Sequence, residues 1–318
     1  MTTILGTGQL GLAIMQMLLE RNPNGKILLV NRSGKLGIPL PPNVQVTAAD
    51  TTSGAAMKAI AEKAELIFSC TDMPYDQWAV FYPATASALA YALSETSARL
   101  VFADNLYSYG NVFGKLMDES MPHTAQTKKG KIRAAVINAL LFSGDLFNKR
   151  VAFVKAADFV GPRIHKGIFG TAFLNNVYSG KTVRLFGNIH LPHTFTYIND
   201  FAAAMINVGM AADAFGQTWH VPNAPALSID KWVHLFEVIS NRKIKKSVTA
   251  KLLIKIAGFF NAFTRELYEM AYQFEYPYLV SHDKYAARFG NHCTYPSDIV
   301  KATVEWYLLT QQNKQDHQ

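Results

Sequence analysis

Three glycines near the amino terminus constrain the fold of this chain more than any other part of its sequence. The apolar run Thr3–Leu5 leads into Gly6, Gly8 and Gly11, spaced G-x-G-x-x-G, and a helical pattern and a second apolar run, Lys26–Val30, follow. The order strand, tight turn, helix, strand is the context that a dinucleotide-binding turn requires. The first glycine then allows the bend, the second lets the backbone approach a pyrophosphate, and the third lets the helix pack closely on the strand. The alternative is a plain glycine-rich βαβ turn.

The residues after the second apolar run bear on which dinucleotide would bind. A unit that binds NAD usually carries Asp or Glu there, because a carboxylate accepts hydrogen bonds from the ribose 2′-hydroxyl. This chain has Asn31, Arg32 and Ser33, then Lys35, and no acid before Asp50. Since a guanidinium can bind a 2′-phosphate through two hydrogen bonds, the sequence favours NADP, with NAD possible. The alternative is that Arg32 and Lys35 form a solvated loop edge.

Apolar runs and helical patterns alternate along the first half of the chain. Further strands are predicted at Val44–Val46, Leu66–Thr71, Arg99–Ala103 and Val151–Lys155. Six strands that alternate with helices predict an α/β fold with a doubly wound parallel sheet of the Rossmann type. The helices predicted in this part are Ser53–Lys63, with Ser53 as its cap, Tyr75–Ser94, rich in alanine, and Ala125–Leu146.

The pattern changes after Pro162, where helical stretches mix with short strands and aromatic loops. We expect a Rossmann domain of residues 1–162 with a return segment at about 193–215, and a smaller interleaved substrate domain of residues 163–192 and 216–318, with the active cleft between them. The elements predicted in this part are the helices Phe169–Tyr178, Ile229–Ser240 and Ala250–Tyr276 and the short strands Val183–Phe186 and Trp219–Val221.

Composition and charge narrow the function classes. With 17% charged and 49% hydrophobic residues, the 318-residue chain has an ordinary globular composition. Its net charge of +8 comes from scattered cations, apart from the runs Lys128–Lys131 and Arg242–Lys246. We therefore expect phosphorylated small molecules, and no nucleic acid, as partners. Cys70 and Cys293 form no disulfide framework, and no spacing suggests a metal site.

Neither the amino terminus nor the apolar runs of the sequence suggest export or membrane insertion. The amino terminus lacks the basic region of a secretory signal, and its glycines fit the βαβ turn. No apolar run reaches the roughly 18 residues of a membrane span. The nearest, Leu252–Phe263, carries Lys255. We expect it to be a helix packed in the second domain, with a membrane-surface helix as the alternative, and a cytoplasmic protein without a membrane partner.

Several segments together resemble one known family. They are the glycine turn, the end of the fifth strand at Val101–Gly110, the pair Gly161 and Pro162 after the sixth, Tyr197–Ala202, and the terminal helix Ile299–Tyr307. In these segments the chain is similar to the extended short-chain dehydrogenases/reductases, which include the nucleotide-sugar epimerases and dehydratases. The resemblance covers essentially the whole chain and implies a nicotinamide cofactor and a polar metabolite as substrate. It also implies a homodimer, formed through the helices after strands four and five.

The sequence departs from this family at its catalytic residues. The family uses a Tyr four residues before a Lys on one helix, where the Tyr exchanges a proton with the substrate. None of the 14 tyrosines here precedes a Lys at that spacing. By resemblance, Lys131 takes the position of the Lys, Thr127 replaces the Tyr, and Asp104 stands at the position of a strand-five hydroxyl. Tyr107 is the nearest proton donor. The alternatives are packing for Tyr107 and a surface position for Lys131.

The candidate site residues follow from the turn, the strand ends and the resemblance. Candidate catalytic residues are Tyr107, Lys131 and Thr127. Candidate cofactor contacts are Gly6, Gly8, Gln9, Leu10, Gly11, Asn31, Arg32, Ser33, Asp50, Ser69, Cys70, Thr71, Lys131 and Pro162. Candidate substrate contacts are Tyr109, Arg163, Asn175, Arg184, His193 and Tyr197. Asp158 is predicted to be a turn residue.

Two function classes remain in competition. The first is an NADP-dependent oxidoreductase or epimerase-like enzyme that acts on a hydroxyl or carbonyl of a polar metabolite, with nucleotide-sugars as candidates. The second is a non-catalytic protein that senses NADP or NADPH and signals to a partner, because the catalytic tyrosine is missing. Hydride transfer separates the two classes.

Overall fold

The structure, a computed structural model, describes residues 1–141, 144, 149–249 and 262–315. The chain divides into two compact units, each built from several segments. The first unit comprises Met1–Gly110, Glu119–Ala156 and Phe201–Val221, and the second comprises Asn111–Asp118, Ala157–Asp200 and Pro222–Gln318.

A sheet of seven parallel strands forms the centre of the first unit. The strands are β1 (Thr2–Leu5), β2 (Ile27–Asn31), β3 (Val44–Ala48), β4 (Leu66–Ser69), β5 (Arg99–Asn105), β6 (Val151–Ala156) and β11 (Thr218–His220). They lie side by side in the order β3-β2-β1-β4-β5-β6-β11. The first six follow the doubly wound order of dinucleotide-binding sheets, so the predicted fold class is confirmed. Every residue of β4 and β6 is buried, as expected for parallel strands covered on both faces.

Helices pack on the faces of this sheet. They are α1 (Gln9–Arg21), α2 (Gly54–Ala61), α3 (Trp78–Ser94), α4 (Lys128–Leu141) and most of α6 (Ile198–Met210). The Ser53 hydroxyl accepts a hydrogen bond from the Ala56 amide at 3.3 Å, which confirms it as the cap of α2. Ala86, Ala88 and Ala92 of α3 are buried, and this helix packs against both α2 and α4. Small side chains permit this close packing.

Two differences between the predicted and the observed elements concern the first unit's α4 and its seventh strand. The helix predicted from Ala125 begins at Lys128, because the Thr127 hydroxyl accepts a hydrogen bond from the Gly130 amide at 3.1 Å and caps the first turn. The part of that prediction at residues 142–146 lies almost wholly outside the described residues. The strand predicted near Trp219, which we assigned to the smaller domain, is β11, and it pairs with β6 as the seventh strand of the main sheet. A local apolar pattern indicates a strand but not its neighbour.

In its described residues, the second unit contains three two-stranded sheets and five helices. The sheets pair β7 (Asp158–Val160) with β10 (Phe195–Tyr197), β9 (Pro192–His193) with β12 (Leu227–Ser228), and β8 (Val183–Phe186) with β13 (Lys246–Thr249). The helices are α5 (Thr171–Tyr178), α7 (Ile229–Ser240), α8 (Ala262–Glu269), α9 (Asp283–Phe289) and α10 (Pro296–Gln315).

The long helix predicted at Ala250–Tyr276 is described only in its second part. That part consists of α8 and a 3-10 turn at Ala271–Phe274, and residues 250–261 lie outside the described part. The predicted packed helix at Leu252–Phe263 and its membrane-surface alternative therefore stay predictions. None of the described helices is long and apolar enough to cross a membrane.

Candidate functional site

In the glycine turn between β1 and α1, a side chain would clash with the backbone at Gly6 and Gly11 but would meet free space at Gly8. Gly6 has φ +95°, and a Cβ there would lie 2.7 Å from the Cys70 carbonyl oxygen. A Cβ at Gly11 would lie 2.0 Å from the Gly6 carbonyl oxygen, whereas one at Gly8 meets nothing within 4 Å. The first and third positions therefore require glycine for the turn and the packing. Open space at Gly8, directly before the first residue of α1, is what a pyrophosphate at the helix amino terminus needs.

The loop after β2 is tied to the glycine turn by Asn31. Its side-chain amide nitrogen donates to the Thr7 hydroxyl at 3.1 Å, and its Oδ1 accepts from the Ser33 and Gly34 amides at 3.1 and 2.7 Å. These bonds fold the loop back on itself and leave Arg32 exposed beside the turn. An exposed cation at the end of β2 is the arrangement that the predicted binding of a 2′-phosphate requires.

Asp50 lies near this loop and has local partners. Its Oδ1 accepts from the Thr52 amide at 2.9 Å and from the Thr52 hydroxyl at 2.8 Å. These two bonds, followed by the nearby charge of Arg32, lower the pKa of the Asp50 carboxyl below its ordinary value. The bonds to Thr52 correspond to the helix-entry role that is the alternative to adenine binding, and a cofactor contact stays a prediction.

Two hydroxyl groups at the end of β4 have no hydrogen-bond partner among the described residues. They are the buried Oγ of Ser69 and Oγ1 of Thr71. Cys70, between them, lies against the glycine turn, and burial raises the pKa of its thiol. Because buried polar groups are normally satisfied, these hydroxyls are suited to a ligand placed at this end of the sheet.

Two of the predicted catalytic residues, Thr127 and Lys131, lie one helical turn apart at the start of α4. Thr127 uses its hydroxyl as the helix cap, and Lys131 is exposed. Lys129 and Arg133 are buried instead, with 1% and 3% of their surface exposed. Because two residues correspond to about 200° around a helix, Lys131 points away from the face that carries Lys129. This placement matches the surface alternative, and the roles of Thr127 and Lys131 stay predictions.

Tyr107 belongs to an aromatic cluster. Its hydroxyl lies 3.0 Å from the Tyr75 hydroxyl, and its ring stacks on Trp78 with centroids 6.0 Å apart. The Lys129 ammonium lies 4.8 Å from the Tyr75 ring centroid. These contacts match the packing role that was the alternative to proton donation, and proton donation by Tyr107 stays a prediction.

A buried ionic cluster, which we do not predict from the sequence, lies at the carboxyl ends of β5 and β6. Asp104 and Lys155 are opposite each other in the β5–β6 pairing. Lys155 Nζ donates to Asp104 Oδ2 at 2.5 Å, and Arg133 Nε donates to Asp104 Oδ1 at 2.6 Å. Lys155 Nζ also donates to the Asn105 carbonyl and to Ser108 Oγ, each at 3.0 Å. The signal in the sequence was a lysine inside the otherwise apolar strand β6.

Burial and charge set the protonation of this cluster. Burial alone would raise the pKa of Asp104, but the charges of Arg133 and Lys155 hold it below its ordinary value. Burial lowers the pKa of Lys155 despite its bond to Asp104. Arg133 keeps its charge because the carboxylate of Asp104 outweighs the cost of burial.

Tyr109 and two histidines extend the cluster. The Tyr109 hydroxyl lies 2.9 Å from His220 Nε2, and its ring stacks on His123 with centroids 5.2 Å apart. His123 Nδ1 lies 3.0 Å from Ser108 Oγ. Burial, followed by the charge of Lys155, lowers the pKa of His123 to about 4. Tyr109 is 4% exposed, and the substrate contact predicted for it stays untested.

In the second unit, His193 is paired with Asp158. His193 Nε2 lies 2.9 Å from Asp158 Oδ2, and the ring stacks on Phe274 and Tyr278 with centroids 4.7 and 4.8 Å apart. Asp158 was predicted to be a turn residue, which is wrong, because it begins β7 and pairs with Phe195 of β10. The pair fixes β7 to β9 through a side-chain contact that no local pattern could indicate.

The other candidate substrate residues are spread over the second unit. Tyr197 is buried, and its ring would lie 2.9 Å from a Cβ at Gly161, which has φ +135°. Arg163 has φ +65° and Arg184 is exposed on β8. Asn175 Oδ1 accepts from the Tyr307 hydroxyl at 2.8 Å in an open pocket of about 410 Å³. Among the described residues of the chain, no group of His, Cys, Asp and Glu could hold a metal ion.

The chain is similar over nearly its whole length to solved structures of nucleotide-sugar enzymes. A dTDP-glucose 4,6-dehydratase from Bacillus anthracis in complex with NAD matches with a TM-score of 0.80 and 14% identity, covering 98% of this chain and 97% of that one. A UDP-glucuronic acid 4-epimerase from Bacillus cereus in complex with NAD gives 0.77 and 13%, covering 96% of each. The dTDP-glucose 4,6-dehydratase DesIV from Streptomyces venezuelae, with NAD and TYD bound, gives 0.78 and 14%, covering 98% of each.

These matches define the class of the fold. No model of a protein family matches the sequence, and neither does any curated protein. These neighbours are two dTDP-glucose 4,6-dehydratases and a UDP-glucuronic acid 4-epimerase, each solved with NAD, so the resemblance inferred from the sequence is confirmed at the level of the fold. This chain has their Rossmann-like α/β fold, with seven parallel strands in the central sheet.

Proposed function

We propose that this chain is an NAD(P)-dependent enzyme of the oxidoreductase or epimerase/dehydratase type. Its substrate would be a polar metabolite that reacts at a hydroxyl or carbonyl group, and nucleotide-sugars are the first candidates. The main support for the proposal is the glycine turn, which has no room for a side chain at Gly6 and Gly11 but has free space at Gly8. The turn belongs to a fold shared with enzymes of these activities. Because one fold can have many functions, the fold alone does not indicate the activity, and the proposal depends on the glycine turn as the cofactor site.

The residues around the turn fit a nicotinamide dinucleotide. The amides of Gln9 and Leu10 at the start of α1 would bind the pyrophosphate, beside the open space at Gly8. The unpartnered hydroxyls of Ser69 and Thr71 would bind the same molecule from the end of β4. When bound, this cofactor supplies or accepts a hydride. The contacts predicted for Asp50, Cys70, Lys131 and Pro162 stay part of the proposal.

We expect hydride transfer in an assay with labelled cofactor. NADPH that carries deuterium on one face of the nicotinamide should transfer the label stereospecifically to a nucleotide-sugar with a keto group. The Gly8→Ala variant is the control, and it should transfer far less label, because its methyl group occupies the space of the pyrophosphate. Tight binding of NADPH without label transfer to any tested keto-sugar would contradict the enzyme and favour the sensing protein.

A preference for NADP over NAD is the finer part of the proposal. It is supported by the exposed Arg32 and Lys35 and by the absence of an acid at the end of β2. Arg32→Ala should weaken NADPH binding by about 10- to 100-fold, the usual loss for a charged hydrogen bond, and change NADH binding little. Isothermal titration with both cofactors measures this. Lys63→Ala is the matched control, because Lys63 is exposed in the turn after α2. Equal losses of affinity for both cofactors in Arg32→Ala would contradict the preference.

The sensing alternative is favoured by one observation, the helix-capping role of Thr127 at the position of the missing tyrosine.

The assembly and the location of the protein are also proposals. We propose a cytoplasmic homodimer formed through α3 and α4. The large side chains of Val80 and Tyr91, which α3 exposes by 78% and 48%, support this assembly.

A further inference from the structure

Three polar side chains of the first unit form a continuous chain of hydrogen bonds that leads out of the buried ionic cluster. Lys155 Nζ donates to Ser108 Oγ at 3.0 Å, and Ser108 Oγ lies 3.0 Å from His123 Nδ1. Lys155 and Ser108 are completely buried, whereas His123 is partly exposed. These hydrogen bonds therefore connect the buried ammonium group of Lys155 to the imidazole of His123, which solvent can reach.

The direction of these hydrogen bonds follows from the groups involved. An ammonium group can only donate, so Ser108 Oγ accepts from Lys155 and can direct its own proton to His123 Nδ1. A pKa of about 4 keeps His123 neutral at neutral pH. A neutral imidazole whose Nδ1 accepts carries its proton on Nε2. Stacking on Tyr109, at an interplanar angle of 14°, fixes the plane of the ring.

The charges of the cluster make Lys155 its proton source. Asp104, Arg133 and Lys155 together carry one negative and two positive charges in a buried place. A guanidinium does not release its proton in proteins, so Arg133 stays charged. Loss of a proton from Lys155 leaves the Asp104–Arg133 pair, which is neutral overall, and burial favours that state.

The chain of hydrogen bonds lies at the edge of the sheet where ligands of this fold bind. Ser108 follows the carboxyl end of β5 by three residues, and Lys155 Nζ also contacts the carbonyl of Asn105, the last residue of that strand. In doubly wound sheets, ligands bind outside the carboxyl ends of the strands. Tyr107, the proton donor expected from the sequence, is held instead in the aromatic cluster around Trp78.

We propose that His123 is the catalytic residue that exchanges a proton with the substrate oxygen, and that Ser108 and Lys155 form the relay that supplies this proton. The proposal rests on the proposed function. As the carbonyl carbon of the substrate gains a hydride from the reduced nicotinamide dinucleotide, its C=O π bond opens and its oxygen takes the proton of His123 Nε2. His123 Nδ1 takes the Ser108 proton, and Ser108 Oγ takes one from Lys155, which becomes a neutral amine. Alcohol oxidation reverses each transfer.

The relay predicts the tautomer and the pKa of His123, and both can be measured without an activity assay. ¹⁵N-labelled protein should show His123 as the Nε2–H tautomer at pH 7, with a pKa of about 4. Among the described residues, the titratable groups around the ring are Lys155, Asp104 and Tyr109. His220 is hydrogen-bonded to Tyr109, and Glu119 accepts from the His220 backbone amide. Ser108→Ala removes the donor to Nδ1, so the Nδ1–H tautomer should appear and the pKa should rise. An Nδ1–H tautomer in the wild-type protein would overturn the relay.

The kinetic test uses His123→Gln, a substitution at a partly exposed position. Its turnover in the reduction of a keto-sugar should fall by about 10²- to 10⁴-fold, the usual contribution of a positioned proton donor. Binding of NADPH should stay within about twofold of the wild-type value, because the dinucleotide contacts lie elsewhere. His234→Gln is the matched control, since His234 lies exposed on α7, and it should behave as the wild type.

The two proposals fail in different ways. If the wild-type protein and His123→Gln transfer the label at the same rate, the relay is overturned and the proposed function stands. If the wild-type protein transfers no label to any keto-sugar, the proposed function is wrong and the relay falls with it. Lys155→Met should lower turnover as His123→Gln does while Asp104 keeps its bond to Arg133, and unchanged turnover there would also overturn the relay.

Discussion

Replacing Asp104 with Asn should destabilise the protein by about 3–5 kcal/mol, which is the usual cost of removing one partner from a buried ion pair. The carboxylate accepts from Lys155 at 2.5 Å and from Arg133 at 2.6 Å, and all three groups are buried. An amide in this position leaves two buried cations without a negative charge beside them. Urea unfolding at pH 7, followed by circular dichroism, measures the loss.

Two further variants show whether this loss comes from the charges. Asp76→Asn is the matched control, because Asp76 is exposed in the turn before α3, and it should change stability by less than about 0.5 kcal/mol. Asp104→Asn combined with Lys155→Met should be less damaging than Asp104→Asn alone, since one of the two unpaired cations is gone. Equal losses in the single and double variants would contradict an electrostatic origin.

The same carboxylate gives the stability a defined dependence on pH. Its pKa is lowered in the folded protein, so the stabilisation is complete above the unfolded value of about 3.9 and is lost as the pH falls through the folded value. Wild-type protein should therefore lose this contribution only below about pH 4. In Asp104→Asn that contribution is absent at every pH, so the difference between the two proteins should shrink in acid.

Local patterns were sufficient to predict six of the seven strands of the sheet and the glycine turn after β1. A turn glycine is recognised from its neighbours in the sequence, and the apolar runs of β4 and β6 follow from burial on both faces. The ionic cluster could not be predicted in this way. Its members come from β5, α4 and β6, and a charged side chain in a strand acquires its partner only when the strands pair. The lysine inside β6 was the one local sign of it.

The register of α4 shows a second limit of sequence reasoning. The assignment of Lys131 relied on a family spacing whose tyrosine is missing here, so nothing fixed which face of the helix turns inward. The structure turns Lys129 and Arg133 inward and leaves Lys131 exposed. Likewise, the His193–Asp158 pair joins residues 35 positions apart. Asp158 lies in β7 and His193 in β9, and they meet because β7 pairs with β10, the strand that directly follows β9.

Gly11→Ala and Gly8→Ala should separate the two functions of the glycine turn. At Gly11 the added Cβ would lie 2.0 Å from the carbonyl oxygen of Gly6, which is backbone and cannot rotate away. The helix α1 must then move off β1, at a cost of at least about 1–3 kcal/mol for overpacking. A lower thermal transition of the protein without cofactor measures this effect.

At Gly8 the added methyl group meets no atom within 4 Å, so the protein without cofactor should unfold at nearly the wild-type temperature. Its affinity for the dinucleotide should fall by at least about 10-fold, because the methyl group takes up space that the pyrophosphate needs and about 1.4 kcal/mol suffices for that change. Titration calorimetry of both variants measures the affinities. If Gly8→Ala binds NADPH as the wild type does, the cofactor does not approach the backbone at this turn, and the observation that carries the proposed function is lost.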